Sequence, residues 1–127
     1  MTGDPEFDRS RDEIAAARLL AESGFGAQAI SRAYFAAFHA AETALGRLGE
    51  TRSKHAGVVS AFGRLVVREG GLDEDVGRLL RSLFERRNQA DYTDVHVPRE
   101  EAEAAVADAE RFVDAAASWL RERRPGP

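Results

Sequence analysis

Between Ile30 and Leu48 an apolar residue returns every three or four positions: Ile30, Ala33, Tyr34, Ala37, Phe38, Ala41, Leu45 and Leu48. This spacing draws one apolar stripe along a helix of about 27–48 and excludes a strand, whose side chains change face at every residue. Many of its residues are alanines, so neighbouring helices can approach closely. A helix with such a stripe must be covered, and the remainder of the chain offers covering elements of the same period.

Residues 8–22 read as a first helix with Ile14, Ala17 and Leu20 or Leu19 inward, ended by Gly24 and Gly26. Ser53 is placed to cap a third helix of about 54–68 carrying Val58, Val59, Phe62, Leu65 and Val66. Asp73 can cap a fourth, whose inner residues are Val76, Leu79, Leu80, Leu83 and Phe84. The fifth opens with "PREE", a proline and acids suited to a helix N-terminus. It continues through Val106, Ala109, Phe112, Val113, Ala116, Trp119 and Leu120, and "RPGP" stops it. No segment sustains period-two alternation. The expectation is an all-α, antiparallel up-and-down bundle of about five helices. It forms a single domain over 8–122, with 1–7 and 123–127 as flexible termini, since 127 residues suit one domain.

The composition removes several classes of function. With no cysteine there is no disulfide and no thiolate metal site. His39, His55 and His96 fall in different elements without ligand spacing, so no metal or other cofactor is expected. No run of 18 apolar residues and no signal-peptide pattern is present, and the expected location is cytoplasmic. The net charge of −4 gives no global field for nucleic acid. Arg78, Arg81, Arg86 and Arg87 nevertheless cluster within ten residues, a local basic region on an acidic body.

The densest polar chemistry is "FERRNQADYTDVH", residues 84–96. If the fourth helix reaches about residue 90, Arg87 and Asp91 lie four apart and can form an ion pair that fixes the guanidinium fork. A fork held in this way suits a phosphate, because its planar donors match an anion. The alternative is a helix-terminal salt bridge beside a packed tyrosine. Arg32 and Tyr34 are further polar residues set in the apolar pattern of the second helix, and His55 stands in the first turn of the third. Taken singly, the first two read as core-edge groups and His55 as an exposed helix residue; taken together, they are expected to converge with Arg87 and with Asp91 or Tyr92 on one ligand site.

The segments "AISRAYFAAFHAAETAL", "KHAGVVSAF", "RRNQADY" and "AEAAVADAERFV" resemble, in order and spacing, the HEPN domains of small stand-alone prokaryotic proteins. The resemblance covers about residues 10–120. It implies a helical bundle that usually dimerises and binds RNA or nucleotides. In many members it implies a metal-independent ribonuclease toxin paired with a minimal nucleotidyltransferase antitoxin. The family's ribonuclease signature is an arginine, a polar residue, and a histidine after four to six intervening residues. Arg87 and Asn88 match its first two positions, whereas 92–94 are Tyr92, Thr93 and Asp94, and His96 comes after eight intervening residues.

The resemblance therefore assigns Arg87, Asn88, Tyr92 and His96 as the candidate catalytic set. Arg32, Tyr34, His55 and Asp91 are the candidate substrate-binding set. A homodimer sharing the cleft is expected, since the alanine-rich second helix and the aromatic-ended fifth carry more apolar surface than a five-helix monomer readily hides. A non-catalytic helical dimerisation or partner-binding module is the competing expectation.

Overall fold

A computed structural model describes residues 5–52, 54–92 and 96–123, with only the backbone of Tyr92 included. The five α-helices are α1 (Asp8–Glu22), α2 (Gly26–Arg47), α3 (His55–Phe62), α4 (Glu74–Tyr92) and α5 (Arg99–Glu122). Among the described residues there is no strand, so the all-α bundle is observed. Among the described residues no helix is long and apolar enough to cross a membrane.

α2 is the axis of the fold, packed by α1, α4 and α5. Seven of its alanines, 29, 33, 36, 37, 40, 41 and 44, are wholly buried. Ala36 and Ala40 lie outside the stripe read from the sequence because α2 is enclosed on more than one side, which favours an apolar surface nearly all round. The stripe also ends early, since Leu48 is exposed after the last turn. On α1, Ile14 and Ala17 are buried, Leu20 is half-buried against the core and Leu19 faces solvent.

The expectation that α2 and α5 keep apolar surface in reserve for a partner does not hold. The alanines of α2 and the ring of Trp119 are consumed within the monomer, and Trp119 Nε1–H donates to the Gly70 carbonyl at 2.8 Å. Among the described residues, the large apolar ones left exposed are Leu19, Phe25 and Leu48.

Gly24 takes φ +88° and turns the chain after α1, as a glycine should. Gly26 does not break α1 but opens α2. A Cβ there would stand 2.7 Å from the Val97 carbonyl oxygen, so glycine lets the α4–α5 connection press onto the start of α2. The Asp73 carboxylate accepts from the Asp75 N–H at 2.7 Å and caps α4. The proposed cap Ser53 lies outside the described residues. The third helix reaches residue 68, but its second half, Gly63–Arg68, is a wider π-helical turn in which Glu69 N–H donates to the Arg64 carbonyl.

The termini also need correction. Pro5–Phe7 forms a 3₁₀ turn, Phe7 is buried in the core, and Glu6 pairs with Arg47 at 2.7 Å. Arg123 lies over the Trp119 ring, 4.0 Å from its centroid, and reaches the Gly70 carbonyl. Glu6, Phe7 and Arg123 are therefore anchored by burial or charge; residues 1–4 and 124–127 lie outside the described part.

Candidate functional site

Three elements aim polar groups at one point. α2 contributes Tyr34, because its place on the buried stripe drives the ring inward until it is wholly buried. α3 contributes His55 from its first turn, where the ring meets Phe38 (centroids 4.4 Å apart), Tyr34 (5.6 Å) and Phe35 (5.8 Å). α4 contributes Arg87, three residues beyond the half-buried Phe84. The Tyr34 hydroxyl lies 3.0 Å from His55 Nδ1, and Arg87 NH1 lies 3.5 Å from the same nitrogen.

These contacts define a resting state. A guanidinium only donates, so its approach to Nδ1 favours a bare Nδ1 and a proton on Nε2. Tyr34 then donates its hydroxyl hydrogen to Nδ1. Burial, followed by the nearby Arg87 charge, lowers the His55 pKa below 6.5; Glu42 opposes this, while His39 adds to it. His55 is accordingly neutral at neutral pH. Burial raises the Tyr34 pKa to about 12, despite an opposing effect of Arg87, so Tyr34 remains a phenol.

Arg87 is held without being saturated. Its guanidinium lies over the Tyr34 and Phe35 rings at 5.3 and 5.2 Å from their centroids. Nε is 3.3 Å from Asp91 Oδ2, yet it is buried with no hydrogen-bond partner, because the N–H is not aimed at the carboxylate. The pair is an electrostatic contact that leaves hydrogen-bonding capacity on the fork. Arg32 lies over the Phe35 ring as well, at 5.2 Å, and pairs with Glu13 at 3.2 Å. Glu13 also faces His39 Nε2 at 4.0 Å, while His39 Nδ1 meets Glu42 at 3.1 Å.

The structure thus brings together Arg87, Asp91, Tyr34 and His55, with Arg32 joined through Phe35. Asn88 is half-buried on α4, and no hydrogen bond to the cluster is described for it. The side chain of Tyr92 lies outside the described residues. His96 is not brought to Arg87. Val97, pressed onto Gly26, holds it over a separate cavity of about 500 Å³ between α2, α4 and α5, lined also by Arg86 and Glu101. Arg86, adjacent in sequence to Arg87, turns the other way and bonds Ser82 and Asp108. Phe35 was not anticipated as a site residue; the i, i+3 spacing of Arg32 and Phe35 was the available signal. Among the described residues no group of three His, Cys, Asp or Glu side chains could hold a metal.

Residues 7–119 match the HEPN domain family. The chain belongs to the HEPN family. The protein named "Putative toxin MJ0605" of Methanocaldococcus jannaschii is 37% identical over 113 residues, 89% of this chain and 84% of its own length. A UPF0332 protein of Thermotoga maritima is 32% identical over 108 residues, covering 84% of this chain and 82% of its own. The UPF0332 protein glr0978 of Gloeobacter violaceus is 29% identical over 118 residues, 91% and 94% of the two chains. In this HEPN chain Arg87 of α4 keeps company with His55 of α3.

Proposed function

We propose that this HEPN protein binds RNA at the Arg87–His55–Tyr34 cluster and cleaves it without a metal. In this reading it acts as a homodimeric toxin whose antitoxin is a minimal nucleotidyltransferase. The observation that carries it is the convergence of an arginine with spare donors, a neutral histidine and a buried phenol from three separate helices. The name of the Methanocaldococcus jannaschii relative supports the toxin role.

RNA supplies the nucleophile, its 2′-hydroxyl. Arg87 swings its fork from Asp91 to a non-bridging phosphate oxygen, where it offsets the charge that develops. Tyr34 turns its hydroxyl hydrogen away from His55 Nδ1, whose one lone pair then accepts the 2′-hydroxyl proton as the 2′-oxygen bonds to phosphorus. The P–O5′ bond breaks, the 5′-oxygen takes a proton from solvent, and a 2′,3′-cyclic phosphate and a 5′-hydroxyl result. Tyr34 becomes the acceptor for Nδ1–H and keeps the ring oriented. Arg32 supplies a second cation across Phe35, Asn88 contacts the strand, and His96 has no part in this step.

The test compares binding and cleavage of a fluorescein-labelled single-stranded RNA. Arg87→Ala removes charge-assisted contacts of about 1.5–3 kcal/mol and abolishes cleavage, with Arg87→Lys recovering only part because it lacks the fork. His55→Ala binds RNA but does not cleave it. If Arg87→Ala melts far lower while its folded fraction binds RNA normally, Arg87 is structural and the reading fails.

A second reading, a non-catalytic dimerisation or partner-binding module, is favoured by the exposure of Leu19 and Phe25 near the α1–α2 turn. Intact RNA binding without any cleavage, together with a self-associated wild type that becomes monomeric on Phe25→Ser, would select it.

A further inference from the structure

A second polar depression, of about 480 Å³, runs between α4 and the α3–π segment. Its α4 wall carries Arg78, Arg81, Ser82 and Glu85, and its other wall carries Ser60, Gly63 and Arg68. α4 rises about 1.5 Å per residue, so Arg81 and Arg78 stand about 9 and 14 Å along the axis from Arg87. Val59, in the same lining, is four residues beyond His55 on α3, so the groove begins about one turn from the cluster.

The charges in it are unevenly satisfied. Arg78 is tied to Glu74 and Asp75 at 3.5 and 2.7 Å. Arg68 and Arg81 have no ion pair among the described residues. Ser82 Oγ already accepts from Arg86 Nε and NH2 at 3.1 and 2.9 Å, which turns its hydroxyl hydrogen toward other acceptors. Two free cations and a hydroxyl donor in one groove match an anion that recurs along a chain. The two carboxylates of the lining come from its first and last α4 residues. Glu74 is engaged with Arg78, and Glu85, at the end toward Arg87, can accept from a ribose 2′-hydroxyl, a group that DNA lacks.

The floor also has a shape suited to a strand. Gly77 allows Val67 to seat against α4, since a Cβ there would fall 2.5 Å from Val67 Cγ2. Gly63, in contrast, is helical, and a Cβ on it would meet nothing within 4 Å, so the groove is open above its backbone. From this we infer that the groove is a track for the sugar–phosphate backbone of single-stranded RNA, with Arg81 and Arg68 on successive phosphates leading away from Arg87. The inference rests on the RNA reading of the cluster and extends it from one phosphate to a path.

Binding of a fluorescein-labelled 12-nucleotide oligouridylate, followed by anisotropy across a salt series, tests it. The variants are Arg68→Ala/Arg81→Ala, Gly63→Leu, Glu85→Ala and Arg87→Ala, each checked for an unchanged melting temperature. Loss of two phosphate contacts should flatten the slope of log K against log salt by about 1.4 and weaken binding on the order of tenfold. Gly63→Leu, which fills the groove without touching a charge, should weaken binding too. Glu85→Ala should narrow the preference for oligouridylate over oligodeoxythymidylate. If wild type does not bind RNA, the reading of the cluster falls and takes the track with it. If wild type binds and Arg87→Ala does not, but the double variant and Gly63→Leu keep wild-type affinity and slope, the cluster stands and the track is wrong. It is equally wrong if these two variants lose only a co-purifying protein partner, because the groove is then a protein interface.

Discussion

Replacing Tyr34 with phenylalanine removes one hydroxyl from the centre of the cluster and nothing else. The ring keeps its neighbours: Phe35, Phe38, Phe84 and His55 have centroids 5.3–5.8 Å away, and Arg87 lies over the face. Packing should therefore change little. What is lost is the 3.0 Å hydrogen bond to His55 Nδ1, a net contribution of about 1 kcal/mol. The abandoned Nδ1 does not add a full penalty, because His55 is only half-buried and Arg87 NH1 remains 3.5 Å away. For a domain of this size about 1 kcal/mol corresponds to a fall of roughly 3–5 °C in melting temperature.

The same change has an alkaline signature. Since the folded-state pKa of Tyr34 is raised to about 12 from 10, it contributes stability that is complete below pH 10 and lost as pH rises toward 12. The phenylalanine variant should show a shallower loss of stability over that window. In RNA assays, binding should persist because Arg87 is untouched, while cleavage drops as His55 loses its orienting partner. The measurements are thermal melts from pH 7 to 11 by circular dichroism, alongside RNA binding and cleavage. A melting temperature within 1 °C of wild type at neutral pH would refute the hydrogen bond. A fall of more than about 10 °C would show that the hydroxyl anchors far more than one nitrogen.

His55 should titrate below 6.5 in an NMR pH series, and Arg87→Ala should move its midpoint up but not past 6.5, because burial is the larger cause. With its folded pKa depressed, His55 contributes stability above pH 6.5 that is lost as pH falls through the folded value, so His55→Asn should flatten the acid limb of a stability profile. Gly26→Val should cost about 2 kcal/mol or more in urea denaturation, because its Cβ meets the Val97 backbone; an unchanged midpoint would mean that this contact is not made. Arg86→Ala should cost about 1 kcal/mol or less, given its partly exposed Asp108 partner, and leave RNA binding intact, in contrast to the adjacent Arg87. Sedimentation at micromolar concentration should give about twice the monomer mass, and a clean monomer throughout would remove the shared cleft.

Helix positions were readable because burial repeats with the helical period, and α1, α2 and α5 fall within a residue of their expected bounds. The π turn was not, because its buried residue Val66 follows Phe62 by four positions, a spacing that an α-helix gives as well. The burial of Phe7 was missed for a different reason: a single aromatic ahead of a helix has no period to betray it. In the site, Arg87 and Asp91 were legible from their spacing on one helix. The meeting of His55 with Tyr34 was only an expectation, since it depends on how α3 docks. His96 went astray because sequence distance from Arg87 carries no direction, and the packing of Val97 on Gly26 sets that direction.

His55 rides on an eight-residue helix, while Tyr34 and Arg87 belong to helices of 22 and 19 residues. α3 gives Val58, Val59, Ala61 and Phe62 to the core, fewer buried residues than α2 gives, and elements with fewer buried contacts open at lower free energy. Detaching α3 would withdraw the imidazole and leave the arginine behind. On the proposed reading, the molecule would then retain a place for phosphate after losing its base, a disarmed form still able to occupy RNA. Native-state hydrogen exchange would register it as amides 55–62 exchanging ahead of those in α2, with a denaturant dependence smaller than that of global unfolding. Whatever binds across α3 and α4 would close that opening, so occupancy of their groove and readiness of the histidine would rise and fall as one equilibrium.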